Sequence, residues 1–174
     1  MGLTPTGGVV MGTRPGDLDP GLVVYLMRQM GRKVTALEKM LNHDAGMVAL
    51  SEMPNDMKAV REAAARGDAK AKLAVEIFTR SVKKAVGGFM TLMGGVDAVV
   101  FAGGIGEHDA RSRMEILSGL QSFGISMNSE RNQAGGDAIR RVNASDSQTA
   151  VYVVPAKEDW MIAVHVGRMA ESAN

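Results

Sequence analysis

The sequence predicts an α/β fold in which helices interleave with short buried strands, and three observations carry that prediction. Asp68 opens a helical run that continues to about residue 93. Residues 96–102 (VDAVVFA) are too short and too β-branched for a helix and read as a buried strand. That run passes directly into GGIGE and then into a further helical stretch over 109–119. Strand, glycine turn and helix in this order are the unit of a layered α/β domain.

The elements follow in chain order. Residues 1–16 carry five glycines and two prolines, which is loop chemistry. A glycine-rich opening with no strand before it reads as a chain that starts inside a fold, with Met1 an internal methionine. Asp19-Pro20 gives an N-cap with proline at the first helical position, and GLVVYLMRQ follows until Gly31. Thr35 opens a second short helix through Leu41, and residues 42–55, without a clear period, read as a connecting loop. Asn55 or Asp56 caps a helix in which Met57, Val60 and Ala64 share a face, with Gly67 at the C′ position. In the Asp68 helix, Leu73, Ile77, Val82, Val86, Met90 and Met93 form a stripe expected to bury against a sheet. Gly87-Gly88 weakens that helix by about 1 kcal/mol per glycine, which suggests a close backbone contact there. Strands are expected near 138–143 and 150–154, and a helix from Glu158 to about Ala170. There is no internal repeat, no low-complexity tract and no dividing linker.

Composition narrows the function classes. The 174 residues suffice for one domain or a large piece of one. With 20 Lys plus Arg against 19 Asp plus Glu and 4% aromatics, the chain lacks the concentrated cationic footprint of a nucleic-acid surface. It has no cysteine, so disulfides, thiolate zinc sites and cysteine nucleophiles are excluded, and a reducing compartment is compatible. Its apolar runs are too short to span a bilayer, and its start is not a signal peptide. Cytoplasm is the default expectation.

Three segments carry chemistry. The first is FAGGIGEH (101–108), where glycines bring unpaired N–H groups and a positive helix end towards a ligand. A tight turn with no ligand would use the same residues. It is neither a dinucleotide fingerprint, because Asp109 stands where a third glycine belongs, nor a Walker loop. The second is MGTRPGDLDP (11–20), where Arg14 sits in a rigid loop and can present its planar fork to phosphate oxygens. Asp17 and Asp19 either hold that arginine or cap the next helix, and the spacing of Asp19 favours capping. The third is VVPAKED (153–159), a strand end followed by adjacent acids. A carboxylate there suits Mg²⁺ on a nucleotide, and acids in a first helical turn also match the helix dipole.

Taken in order, these segments resemble the acetate kinase family, whose members transfer phosphate between ATP and a short-chain carboxylate. The resemblance runs from MGLTPTGGVVMGTRPGDLDP through PNDMK (54–58), the Asp68 helix and GGVDAVVFAGGIGE to VPAKEDWMIA. It implies a ribonuclease-H-like domain of the actin and sugar-kinase type, the second of two around a cleft, incomplete at its start. Residues 1–157 would be that nucleotide-binding domain, and 158–174 a terminal helix returning to a first domain. Arg14 matches an arginine that stabilises the transferring phosphoryl group. Asp56, Met57 and Lys58 match an adenine- and ribose-contacting segment. Gly104, Ile105, Gly106, Glu107 and His108 match the nucleotide loop, and Glu158 the Mg²⁺-binding glutamate. Where this chain has Lys58, His108, Glu52 and Pro54, the family usually has Arg, Asn, Gly and Ser. The family's catalytic aspartate, substrate arginine, histidine contact and phosphate loop precede the first residue here.

The resemblance thus implies phosphotransfer from ATP to acetate or propionate in a longer, dimeric protein, and an inactive state for these residues alone. A stand-alone nucleotide-binding or dimerisation module is the competing reading, and a nucleotide-dependent oxidoreductase a distant third. His43 and His165, isolated from partner acids, read as surface or core residues. The methionines read as core filling or subunit contact, and Arg140-Arg141 as charge protecting a strand edge.

Overall fold

The first helix begins as its sequence requires. Asp19 accepts the Gly21 N–H at 2.7 Å, Pro20 takes the first position, and α1 (Pro20–Gln29) runs until Gly31 turns left-handed at φ +60°. The structure, a computed structural model, describes residues 3–172. Met1, Gly2 and residues 173–174, parts of the opening and terminal stretches read above, lie outside the described residues. The chain falls into two units, Met1–Gly95 and Val96–Asn174.

The first unit is helical among its described residues. After α1 come α2 (Val34–His43), α3 (Gly46–Ser51), α4 (Met57–Ala65) and α5 (Ala69–Leu92). The expectation of a plain loop over 42–55 is corrected, since α3 lies inside it. Its six residues carry no side-chain cap, and its start is instead fixed by tertiary hydrogen bonds described below. Asp56 caps α4 by accepting from Lys58 and Ala59, and Asp68 caps α5 by accepting from Ala71. Gly67 joins the two helices at φ +102°.

The core of this unit forms where α5 meets α3 and α4. It holds Met47, Val60, Ala63, Ala71, Ala74, Val75 and Phe78. Covering side chains the size of valine or phenylalanine stabilises the fold by about 1.5–3 kcal/mol each. Of the stripe expected on α5, Met90 is buried, Ile77, Val82 and Val86 are half-buried and Leu73 and Met93 are exposed, and the helix packs on α3 and α4 rather than on a sheet. Leu73 is 48% and Met93 62% exposed, while Ala71, Ala74 and Val75 are buried. Small residues let α3 and α4 approach α5 closely, so the alanines rather than the bulky residues mark the contact. Ala63 likewise, rather than Ala64, is buried beside Val60 in α4. Gly87 and Gly88 face open space, which corrects the expected close backbone contact.

The second unit contains β1 (Ala98–Phe101), α6 (Gly103–His108), α7 (Ala110–Leu117), a 3₁₀ turn (Gln121–Phe123) and α8 (Ser129–Gln133). It continues with β2 (Arg140–Arg141), β3 (Ala150–Val153) and α9 (Glu158–Ser172). The sheet order is β1-β3-β2. β1 runs parallel to β3 in the register Phe101↔Val153, and β2 runs antiparallel to β3. Central β3 alternates, with Val151 and Val153 buried and Ala150 and Tyr152 partly exposed. β1 is less buried than a VDAVVFA run suggests: Phe101 is covered, but Val100 remains 57% exposed on this edge strand. Ile116, Leu117, Leu120, Ile125 and Val142 complete the core. GGIGEH, read as a loop, is a short helix directly after β1, and Asp109 then caps α7 through Arg111 and Ser112. No helix among the described residues is long and apolar enough to cross a membrane.

Candidate functional site

In the first unit, Arg14 is carried by a loop fastened on three sides. Within the loop, Met11 N–H donates to Arg14 O at 3.0 Å. The start of α3 donates three N–H groups to loop carbonyls: Ala45 to Thr13, Met47 to Met11 and Val48 to Gly12, at 3.2, 3.0 and 3.0 Å. Thr13 Oγ1 donates to Asn42 O on α2, and Val10 N–H to Ser81 Oγ on α5. Orphan helix N–H groups and loop carbonyls thereby satisfy one another. Gly46 permits the arrangement. It sits at φ +66°, and a Cβ there would lie 2.3 Å from Met11 O and 2.6 Å from Arg14 O.

The guanidinium itself is lightly engaged. Nη1 makes one long bond to Pro5 O at 3.4 Å, and Nε is buried without a hydrogen-bond partner. Neither nearby acid holds it: Asp17 accepts the Gly8 N–H at 2.6 Å and Asp19 caps α1. Both aspartates therefore act on the backbone, leaving donor capacity on an arginine whose loop is rigid.

The same loop meets the PNDMK segment. Gly12 packs on Asn55 so closely that an added Cβ would lie 2.0 Å from Asn55 Oδ1. Arg14's loop and Asp56, Met57 and Lys58 are thus neighbours in one unit. Asp56 and Lys58 are exposed and Met57 partly so. Asp56 Oδ1 is committed to the α4 cap, which leaves Oδ2 for a ligand hydroxyl. Glu52, where the family usually has Gly, adopts a left-handed φ of +55° and pairs with Lys70 at 2.5 Å.

In the second unit, Gly103 makes the sharp turn out of β1 at φ +73°. Gly104, Ile105, Gly106, Glu107 and His108 then form the body of α6. Gly104 is exposed, and a Cβ on it would meet nothing within 4 Å. No part of the chain therefore requires glycine there for space. The Gly103 N–H is taken by Glu107 Oε1 at 2.8 Å, and the same oxygen accepts the Ala156 N–H at 2.8 Å. A cavity of about 160 Å³ opens beside α6, lined among others by Glu107, His108, Arg113, Asp137, Arg140 and Pro155.

Glu158 opens α9 and faces solvent beside Asp159. No group of three or more His, Cys, Asp or Glu that could hold a metal occurs among the described residues. An exposed carboxylate at a strand–helix junction fits Mg²⁺ held chiefly by phosphate oxygens, since that ion uses one or two carboxylates and keeps several waters.

Two residues that build this region were missed from the sequence. Arg113, 2% exposed, holds the end of α6: Nη1 donates to Gly106 O and Glu107 O at 2.8 and 2.9 Å. Its Nε and Nη2 donate to Asn132 Oδ1 and O at 2.8 and 2.6 Å. Asn132, also 2% exposed, donates onward to Ala110 O. Burial, and after it the like charge of Arg140, pushes the Arg113 guanidinium below its ordinary value, with Asp109 acting the other way. A signal for Arg113 was present. Its spacing to Ile116 and Leu117 puts a charge on the apolar face of α7.

Residues 1–164 match the model of the acetokinase family. The chain is 40% identical over 163 residues to an acetate kinase of Finegoldia magna, covering 94% of this chain and 41% of that protein. It is 38% identical over 172 residues to an acetate kinase of Methanosarcina thermophila, covering 99% and 42%. Among solved structures, Porphyromonas gingivalis acetate kinase superimposes with a TM-score of 0.88 at 33% identity, over 95% of this chain and 41% of that one. A propionate kinase from Francisella tularensis gives 0.83 at 39% identity, over 94% and 41%. The chain spans about two-fifths of the length of these relatives, and its helices and mixed sheet are part of their α/β fold. By its match over nearly all of its residues, the chain belongs to the acetokinase family.

Proposed function

We propose that these residues form the nucleotide-binding portion of an acetate or propionate kinase, a phosphotransferase with a carboxyl acceptor. In the whole enzyme a carboxylate oxygen attacks the γ-phosphorus of ATP. The bond from that phosphorus to its bridging oxygen breaks, leaving acyl phosphate and ADP. Arg14 supplies donors to the oxygens of the transferring group, where charge builds in the transition state. Asp56, Met57 and Lys58 contact adenosine. Gly104 and the rest of α6 seat the nucleotide, and Glu158 is the carboxylate that would hold Mg²⁺. When bound, the ion offsets phosphate charge.

The observation that carries this reading is Arg14. A guanidinium whose terminal nitrogens make one long bond, to Pro5 O at 3.4 Å, on a loop fixed by α2, α3 and α5, keeps donors available for a ligand. As a cationic donor to phosphoryl oxygens it has a purpose. The protein is proposed to act in the cytoplasm as a homodimer, and residues 1–174 alone are proposed to bind nucleotide without turnover.

Nucleotide titration followed by NMR tests the reading. ADP should bind at high-micromolar to millimolar Kd, more tightly with Mg²⁺. Missing phosphate contacts, at roughly 1.5–3 kcal/mol each, remove the rest of a whole enzyme's affinity. Gly104→Val should abolish binding without unfolding the chain, because the added side chain meets no protein atom within 4 Å and enters the space proposed for the nucleotide. If neither Gly104→Val nor Mg²⁺ alters the response, the site is wrongly assigned. Turnover by the chain above that of Arg14→Ala would refute the inactivity.

A further inference from the structure

The ends of β1 and β3 separate in a way that leaves backbone groups to be satisfied. The parallel ladder extends as far as Val154 N–H donating to Phe101 O at 2.8 Å. Beyond it, Gly103 turns into α6, Pro155 has no N–H, and Ala156 heads towards α9. The Glu107 carboxylate reaches back across this divergence. One oxygen, Oε1, accepts from both Gly103 and Ala156 at 2.8 Å. Three of the six residues of α6 are glycine, so the helix has little propensity of its own and is held from outside. Arg113 holds its last turn through Gly106 O and Glu107 O, and Glu107 holds its first.

We propose that Glu107 is a positioning residue, whose oxygen ties the start of the nucleotide helix at Gly103 to the connector at Ala156 and so sets where Glu158 stands relative to bound nucleotide. Glu158 follows Ala156 by two residues, so a connector released from Glu107 carries Glu158 with it. This rests on the reading of Gly104 and Glu158 given above. The contribution of Glu107 is then a matter of reach and acceptor geometry rather than of negative charge close to the ion.

Two variants separate those roles. Glu107→Gln keeps the length and an acceptor oxygen for both N–H groups but loses the charge. Glu107→Asp keeps the charge and is one methylene too short to serve both amides. The full chain is titrated with ADP, with and without Mg²⁺, by ¹⁵N-resolved NMR that also reports the Gly103 and Ala156 amides. The quantity read is the ratio of affinities with and without the ion, with Glu158→Ala as reference. In the unsubstituted chain the ratio should be about tenfold, the scale of one charge-assisted bond. Glu107→Gln should stay within about twofold of it. Glu107→Asp should fall to the ratio of Glu158→Ala, with both amides shifting. The proposal is overturned if Asp retains the ratio, if Gln loses it as fully as Asp, or if the two amides do not respond to Asp. A chain whose own ADP binding ignores Mg²⁺ instead refutes the reading of Glu158, and the proposal falls with it.

Discussion

Replacing Arg113 by Met keeps most of the side-chain volume and removes every donor. Four bonds disappear, leaving Gly106 O, Glu107 O, and both Asn132 acceptors without them. An unsatisfied buried acceptor costs roughly 1–3 kcal/mol. Two effects reduce the sum. The depressed pKa of Arg113 reflects a desolvation cost that the variant no longer bears. Arg113 also lines a cavity from which water can reach some of the orphaned carbonyls. The net loss should be about 2–4 kcal/mol, a large share of a marginal stability. At roughly 4–8 °C per kcal/mol for a unit of this size, melting should move down by more than about 8 °C. Urea denaturation followed through the single tryptophan, Trp160 in the same unit, measures it. Arg113→Lys should not rescue, because one ammonium cannot serve the divergent acceptors at Gly106 and Asn132. A Met variant within about 0.5 kcal/mol of the unsubstituted chain would refute the claim that Arg113 organises α6.

Gly46→Ala should cost about 2–4 kcal/mol, combining left-handed strain with a Cβ driven into Met11 and Arg14 backbone. Thermal unfolding checks it, and an unchanged melting curve contradicts the close packing of the Arg14 loop on α3. Glu52→Gly should stabilise by up to about 1 kcal/mol, because relief of a left-handed glutamate outweighs glycine's extra unfolded-state freedom and an exposed ion pair with Lys70. A lowered urea midpoint would show that the pair dominates. The chain should self-associate at micromolar concentration, since Trp160, Ile162 and Val166 of α9 are 60–68% exposed. Sedimentation as a clean monomer argues against it.

What could be read from the sequence was local. Asp19, Asp56 and Asp68 announce their helices because each cap is a hydrogen bond to the backbone two or three residues ahead. The order of strand, glycine turn and helix over 96–119 was legible for the same reason, although the helix α6 inside the glycine segment was not, and residue types in series were enough to suggest the family. Tertiary structure decided what depends on groups distant in the chain. α3 exists where no cap marks it because loop carbonyls from Met11 to Thr13 receive its first N–H groups. The buried face of α5 follows alanines rather than leucine because α3 and α4 press close against it. Arg113 finds Asn132 at a separation of 19 residues, and Glu107 finds Ala156 at 49. Hydrophobic period and cap chemistry encode the form of each element, but the partner of a buried polar group is fixed only when the chain closes on itself, since burial is what makes that partner obligatory.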